Sequence, residues 1–190
     1  MGHLNRDYYA CLLSAAEIHG ASHQKPQIFQ VMTNKRMHDI RCGYMVIKFI
    51  YKKSLDTTLT QNIVVNTGYL KVSTPEYTAL DLMQYTNNAG GINHVATVFS
   101  ELIESIDIDK LISLAYKYNA KSWVQRLGYI LDSIDPIDTY KQQAIISALQ
   151  KYLSEIKITY VPLTPDMPSK GCVYNKKWKI IENTTVESDI

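Results

Sequence analysis

Three groups of residues in this chain have the types and spacing to do chemistry. His19 and His23 stand four apart, the interval at which one helix face can present two metal ligands. Gly20 falls between them and stops a helix, and no third ligand is near, so no metal is expected there. His19 is expected to pack at the helix end, and His23 and Gln24 to bond to loop backbone or to form a polar surface patch with it. Glu155-Ile156-Lys157 has the E-x-K spacing by which a nuclease holds a divalent ion and activates water, with Asp135 or Asp138 upstream. It falls at a helix end and not within a strand, and so short a match arises readily by chance. Asp81 lies between Leu80 and Leu82, one turn from Tyr77 and Tyr85. A carboxylate among apolar neighbours needs a cation, and Arg126, the one cation between Ser122 and Asp132, is the expected partner in a structural ion pair. Phosphate-binding glycine loops, a GxSxG elbow and a Cys–His constellation are all missing, so no cofactor and no catalytic residue is expected.

Charge adds a binding surface. The net charge is +2 over 190 residues, but it is uneven. Between Lys25 and Lys53, seven cations (Lys25, Lys35, Arg36, Arg41, Lys48, Lys52 and Lys53) face Asp39 alone, a net +6. Between Ser73 and Lys110, six acids face one lysine, a net −5. The basic stretch interleaves with Tyr44, Phe49 and Tyr51, a composition that suits RNA or single-stranded DNA and equally a solvated sheet face. His19, His23, Gln24, Lys35, Arg36, Arg41, Lys52 and Lys53 are therefore the candidate functional surface. The three cysteines are far apart and unpaired by motif, which fits a reducing cytoplasm. No apolar run reaches the roughly 20 residues of a bilayer span, so no membrane partner is expected.

The elements that must position these groups follow from periodicity. Tyr8 to His19 carries apolar residues at three and four and predicts a helix ended by Gly20. Gln27–Thr33 and Gly43–Lys53 predict strands, the second with Met45, Ile47 and Phe49 on one face and Val46, Lys48 and Ile50 on the other. Asn66-Thr67-Gly68 predicts a hairpin turn between Ile63–Val65 and Tyr69–Ser73. Thr74-Pro75-Glu76 is a helix start, with a cap, a proline at the first position and an acid at the positive dipole end. Further helices follow from Ile92, from an Asp107 cap, from a Ser122 cap and from Asp135-Pro136. Residues 156–163 and 176–183 predict two late strands around a Pro/Gly-rich loop. The order of elements predicts an α+β fold: a small, mostly antiparallel sheet packed with five to six helices, the late strands returning to it or forming a separate ribbon. One domain over 1–190 is expected, with 1–7 and 184–190 as loose tails.

Three stretches together resemble the C-terminal antitoxin domain of the AbiEi family of type IV toxin–antitoxin systems. They are Tyr8-Tyr9 through LLSAAEIHGASHQKPQ, then STPEYTALDLM followed by AGGINHVATV, and finally QRLGYIL from Gln125. Order and spacing both match, from roughly Tyr8 to Pro168. The resemblance implies a bacterial, cytoplasmic antitoxin from phage abortive infection. Its counterpart is a nucleotidyltransferase toxin, neutralised without a stable complex. Full-length members carry a winged helix-turn-helix and repress their own operon; no winged helix fits before Tyr8 here, so operator binding is not expected of these residues alone. The alternatives are a divergent metal-dependent nuclease of restriction-endonuclease-like fold, and a dimerisation module for a DNA-binding domain outside this chain. The oligomeric state is left open.

Overall fold

The computed structural model describes residues 7–21, 27–66, 68–134 and 139–187. The chain opens with β1 (Tyr8–Ala10), α1 (Leu12–Ile18), β2 (Ile28–Thr33), β3 (Ile40–Cys42) and β4 (Met45–Tyr51). The hairpin β5 (Thr60–Val65) and β6 (Gly68–Ser73) follows. Next come α2 (Pro75–Gln84), α3 (Ile92–Leu102), α4 (Ile108–Tyr118), α5 (Lys121–Ser133) and α6 (Thr139–Ser154), then β7 (Val161–Pro162), β8 (Val173–Asn175) and β9 (Ile180–Glu182). The fold is α+β. None of the described helices is long and apolar enough to cross a membrane. The Asp135-Pro136 helix start, with Asp138, lies outside the described residues.

The main sheet has the order β3-β4-β2-β1-β6-β5. Its β3/β4, β1/β2 and β5/β6 pairs are antiparallel, whereas β2/β4 and β1/β6 are parallel. Short connections between the first strands imply mostly antiparallel pairing, which three of the five pairs show. In the parallel β2/β4 pair, β3 takes the outer edge, Gly43 turns the chain at φ 61, and β4 enters between β3 and β2 in the direction of β2. The first predicted helix is likewise divided. Tyr8–Ala10 is a central strand, paired with β2 through Tyr8↔Thr33 and Ala10↔Val31 and with β6 through Ala10↔Val72. Two bordering strands outweigh its helical periodicity, and the helix begins only at Leu12.

Side chains aligned across a sheet share a face. The row Tyr9, Met32 and Ile50 is buried and points into the helical layer, where it joins Leu80, Phe99, Leu127 and Leu149 in one core. Buried Gln30 on that face joins the sheet to α1. Its Oε1 accepts from the Leu13 N–H at 3.0 Å, and its Nε2 donates to the Asn88 carbonyl at 2.8 Å. A helix that lacks its own side-chain cap is thus capped from the sheet. Thr74 caps α2 from Tyr77 N–H at 3.3 Å, and Asp107 caps α4 from Lys110 N–H at 3.1 Å, both as the sequence implies. Ser122 does not cap α5; the cap position is Ala120, which has no side-chain acceptor.

The late strands do not return to the main sheet. They form a separate ribbon of order β7-β9-β8, which docks on α5. The physical reason is Trp178. Its side chain is fully buried and packs on Gly128 so closely that a Cβ there would lie 2.1 Å from the ring. The polar side chains of α5 complete the joint. Gln125 Nε2 donates to the carbonyls of Thr159, Trp178 and Lys179 at 2.9–3.1 Å, and Asp132 accepts from Lys177 Nζ at 2.7 Å and Trp178 Nε1 at 3.1 Å. A Gly→Ala change inside a helix ordinarily gains stability. Here the rigid indole must move, so Gly128→Ala is expected to lose about 1–3 kcal/mol by overpacking. Urea unfolding followed by tryptophan fluorescence checks this, and a stabilised variant would refute the close approach.

Candidate functional site

Asp81 is fully buried in α2, and three elements meet at its carboxylate. Lys52, just past the end of β4, donates from Nζ to Oδ1 at 2.7 Å; Tyr9 of β1 donates from its hydroxyl to Oδ2 at 3.0 Å. The Lys52 ammonium also lies over the Tyr77 ring at 4.5 Å and the Tyr85 ring at 6.0 Å. Strand alternation explains the reach. Ile50 points into the core, so Lys52, two residues on, points the same way, while Tyr51 and Lys53 point out. The cation that answers Asp81 is therefore Lys52 and not Arg126. Arg126 faces the ribbon on the other side of α5, where its Nε donates to the Pro162 carbonyl at 2.9 Å.

The electrostatics follow from burial. Burial by itself lowers the Lys52 ammonium, but the Asp81 charge and hydrogen bond outweigh it and hold Lys52 above its ordinary range. Burial first, and the Asp81 charge second, push the Tyr9 hydroxyl and the Cys11 thiol well upward, so both stay protonated and serve as donor and filler. Asp81 and Tyr9 are fully buried and Lys52 is mostly so, which makes this centre a joint between sheet and helices.

The remaining predicted surface residues divide into separate places. Because β2 and β4 run parallel with Thr33 beside Tyr51, the residues that follow each strand emerge at one end of the sheet. Lys35, Arg36 and Lys53 are exposed there, and the Arg36 guanidinium lies 5.6 Å from the Tyr51 ring centre. Arg41 is exposed but pairs with Val46 near the start of β4, about 17 Å away along the strand at 3.3 Å per residue. His19 is half-buried as the C-cap of α1, with its Nε2–H donating to the Ser73 carbonyl at 2.7 Å. Burial keeps its pKa below the usual value, so it is a neutral structural donor. His23 and Gln24 lie outside the described residues. Glu155 accepts from the Tyr116 hydroxyl at the end of α6, and the Lys157 carbonyl accepts from Lys121 Nζ at 3.3 Å. Asp135 and Asp138, the acids that would complete a nuclease site, lie outside the described residues. The role of Tyr9 is not legible in the sequence, because its signal is strand parity, hidden while Tyr8–Ala10 reads as helix; of the aromatics expected beside the basic stretch, it is Tyr51 that meets Arg36.

A double-mutant cycle tests the Asp81 joint. Lys52→Met strands a buried carboxylate and is expected to cost about 3–5 kcal/mol in urea unfolding. Lys52→Met/Asp81→Asn should recover a large part of that loss; equal, additive losses would mean the two groups do not interact. The pH dependence has a definite sign. A lysine whose folded value is raised contributes stability below its unfolded value of 10.5 and loses it as pH climbs through the folded value. The wild type should therefore weaken above that pH, with the Lys52 share of the slope absent from Lys52→Met.

Comparison with known proteins agrees with this architecture. The crystal structure of the RV2827C protein from Mycobacterium tuberculosis superposes with a TM-score of 0.64 at 16% identity, covering 95% of this chain and 64% of that one. At that identity the likeness shows the fold alone, and this chain spans less than two thirds of that protein. No curated protein sequence matches. The family model of the AbiEi antitoxin C-terminal domain matches residues 8–133, from the first residue of β1 to the last of α5. The chain therefore belongs to the AbiEi antitoxin C-terminal domain family and carries an antitoxin domain of a toxin–antitoxin system.

Proposed function

We propose that this domain is the effector half of a cytoplasmic antitoxin that counters a nucleotidyltransferase toxin through a binding surface, without turnover and without a lasting complex. The observation that carries the reading is the convergence of Lys35, Arg36, Lys53 and Tyr51 at one end of the main sheet. Two parallel strands bring these charges together, and a fourth cation at that end, Lys52, is neutralised inside by Asp81. The exposed cations are thus free to meet an anionic partner, and the Tyr51 ring beside Arg36 suits a base or an aromatic side chain. Nucleic acid that the toxin modifies is the partner this surface fits best. Engaging the toxin's substrate neutralises it with no stable protein pair. The free thiols Cys11, Cys42 and Cys172 support a reducing compartment.

A dimerisation role has one specific observation in its favour. Val64 and Tyr69 are partners across the β5/β6 hairpin at the sheet edge, and they are 76% and 74% exposed. Light scattering of the purified chain separates a dimer from a monomer.

Co-expression with a nucleotidyltransferase toxin is the direct test. The wild-type chain is expected to restore growth, and Lys35→Glu/Arg36→Glu/Lys53→Glu to lose rescue while keeping its melting temperature. The same triple variant should lose most of its filter-binding affinity for RNA at low salt, because phosphate contacts dominate such affinity. Full rescue by the triple variant would sink the basic-surface mechanism.

A further inference from the structure

A cavity of about 610 Å³ opens between the C-terminal end of α2, the α4–α5 junction and the segment that follows β7. Lys35, Arg36, Tyr51 and Lys53 are not among its lining residues. Three features of its lining are answered by the protein only in part or not at all, and all three call for an acceptor; at the opening of α5 only the Lys121 N–H has a partner among the described residues, the Asn119 carbonyl at 3.0 Å. Arg126 is the first. Its guanidinium is part-buried with Nε on the Pro162 carbonyl, and among the described residues no carboxylate pairs with it. Burial alone acts on its pKa, downward, with no acid to offset it. The second is the opening turn of α5. Ala120 at the cap position offers no side-chain acceptor, and Ser122 and Trp123 of that turn line the cavity. The third is the Thr164 hydroxyl, which is buried in the same lining and has no hydrogen-bond partner. The one acid in the lining, Asp166, accepts from Asn87 Nδ2 at 3.0 Å.

The rest of the lining limits the ligand class. Tyr85 and Tyr118 supply rings, and Asn88 and Asn119 supply carboxamides that can read the edge of a polar heterocycle. The volume falls within the range of pockets that hold small ligands. One arginine and one helix end match a single phosphate; a polyphosphate would bring more negative charge than this lining offsets, with Asp166 present as well. We propose that this cavity binds a nucleoside monophosphate, with the phosphate between Arg126 and the first turn of α5 and the base against Tyr85 and Tyr118. A free nucleotide and the phosphorylated end of a nucleic acid strand share this chemistry.

The test is calorimetric titration of the full chain with AMP, CMP, inorganic phosphate and a 5′-phosphorylated pentanucleotide. Trp123 fluorescence serves as a second readout. Saturable nucleotide binding is expected, tighter than that of inorganic phosphate. If AMP outbinds the pentanucleotide the ligand is the free nucleotide; the reverse order assigns the strand end. Arg126→Gln should weaken binding by about 10–100-fold, the loss of a charge-assisted hydrogen bond. Ser122→Glu should abolish it without loss of melting temperature, because a carboxylate in the first helical turn favours the helix and repels an anion. Inorganic phosphate binding as tightly as AMP, no saturation at millimolar nucleotide, or unchanged affinity in both variants would each overturn the proposal. None of these outcomes depends on toxin rescue, so the site can fail while the antitoxin reading stands.

Discussion

A carboxylate removed wholly from water must be answered by a cation and a hydrogen-bond donor, and in this domain that requirement falls on Asp81. Its partners come from two strands that are not neighbours, β1 and the end of β4, with β2 between them. Two strand spacings separate these, roughly 10 Å. Only a long lysine from one side and a tyrosine from the other can close on one carboxylate across that gap. The arrangement holds only if β4 runs parallel to β2, because that direction places residue 52 at the end where α2 crosses. An antiparallel β4 would carry Lys52 to the opposite end and leave Asp81 uncompensated, at a cost of several kcal/mol. The carboxylate therefore ties strand direction to helix placement.

The same constraint sorts the basic segment. Seven cations in a row of sequence resemble one surface, but strand alternation gives successive residues opposite fates. Lys52 turns inward, while Lys53 turns outward to join Lys35 and Arg36. Arg41 is carried to the far end by an edge strand. A surface of three cations beside Tyr51 remains, and its composition is decided by parity and not by local charge density.

How far the sequence could be read follows from the range of the interactions. Caps are local, so Thr74 and Asp107 were legible as helix starts, and the stripe from Ile92 to Leu102 marked α3. Tyr8–Ala10 was not legible as a strand, because what makes it one is pairing with residues 31–33 and 72, contributed from afar. β3 and β8, of three residues each, carry too short a pattern to show. Asp81 was recognisable as a residue in need of a cation. Arg126 was chosen because both lie in helices of one block, and nothing local reveals that the polar residues of α5 turn outward. Gly128 in that helix was the available hint: a glycine in a helix interior forgoes stability unless something must approach closely, and here it is Trp178.

The outward face of α5 leads to a final step. Gln125 and Asp132 are both satisfied by the ribbon that Trp178 anchors. Among the described residues, Arg126, between them in sequence, donates from Nε to one carbonyl and pairs with no carboxylate. If the ribbon existed solely to cover α5, an apolar or neutral side chain at 126 would serve as well with less cost of burial. A guanidinium is instead held there by the Pro162 carbonyl, in the lining of a cavity whose other wall is the end of α2. The family match ends at residue 133, so one wall of the cavity belongs to the matched region and the other to the segment beyond it. A ligand held in that space would touch both the matched region, through Arg126 and Tyr118, and the segment beyond it, through Leu163 and Thr164.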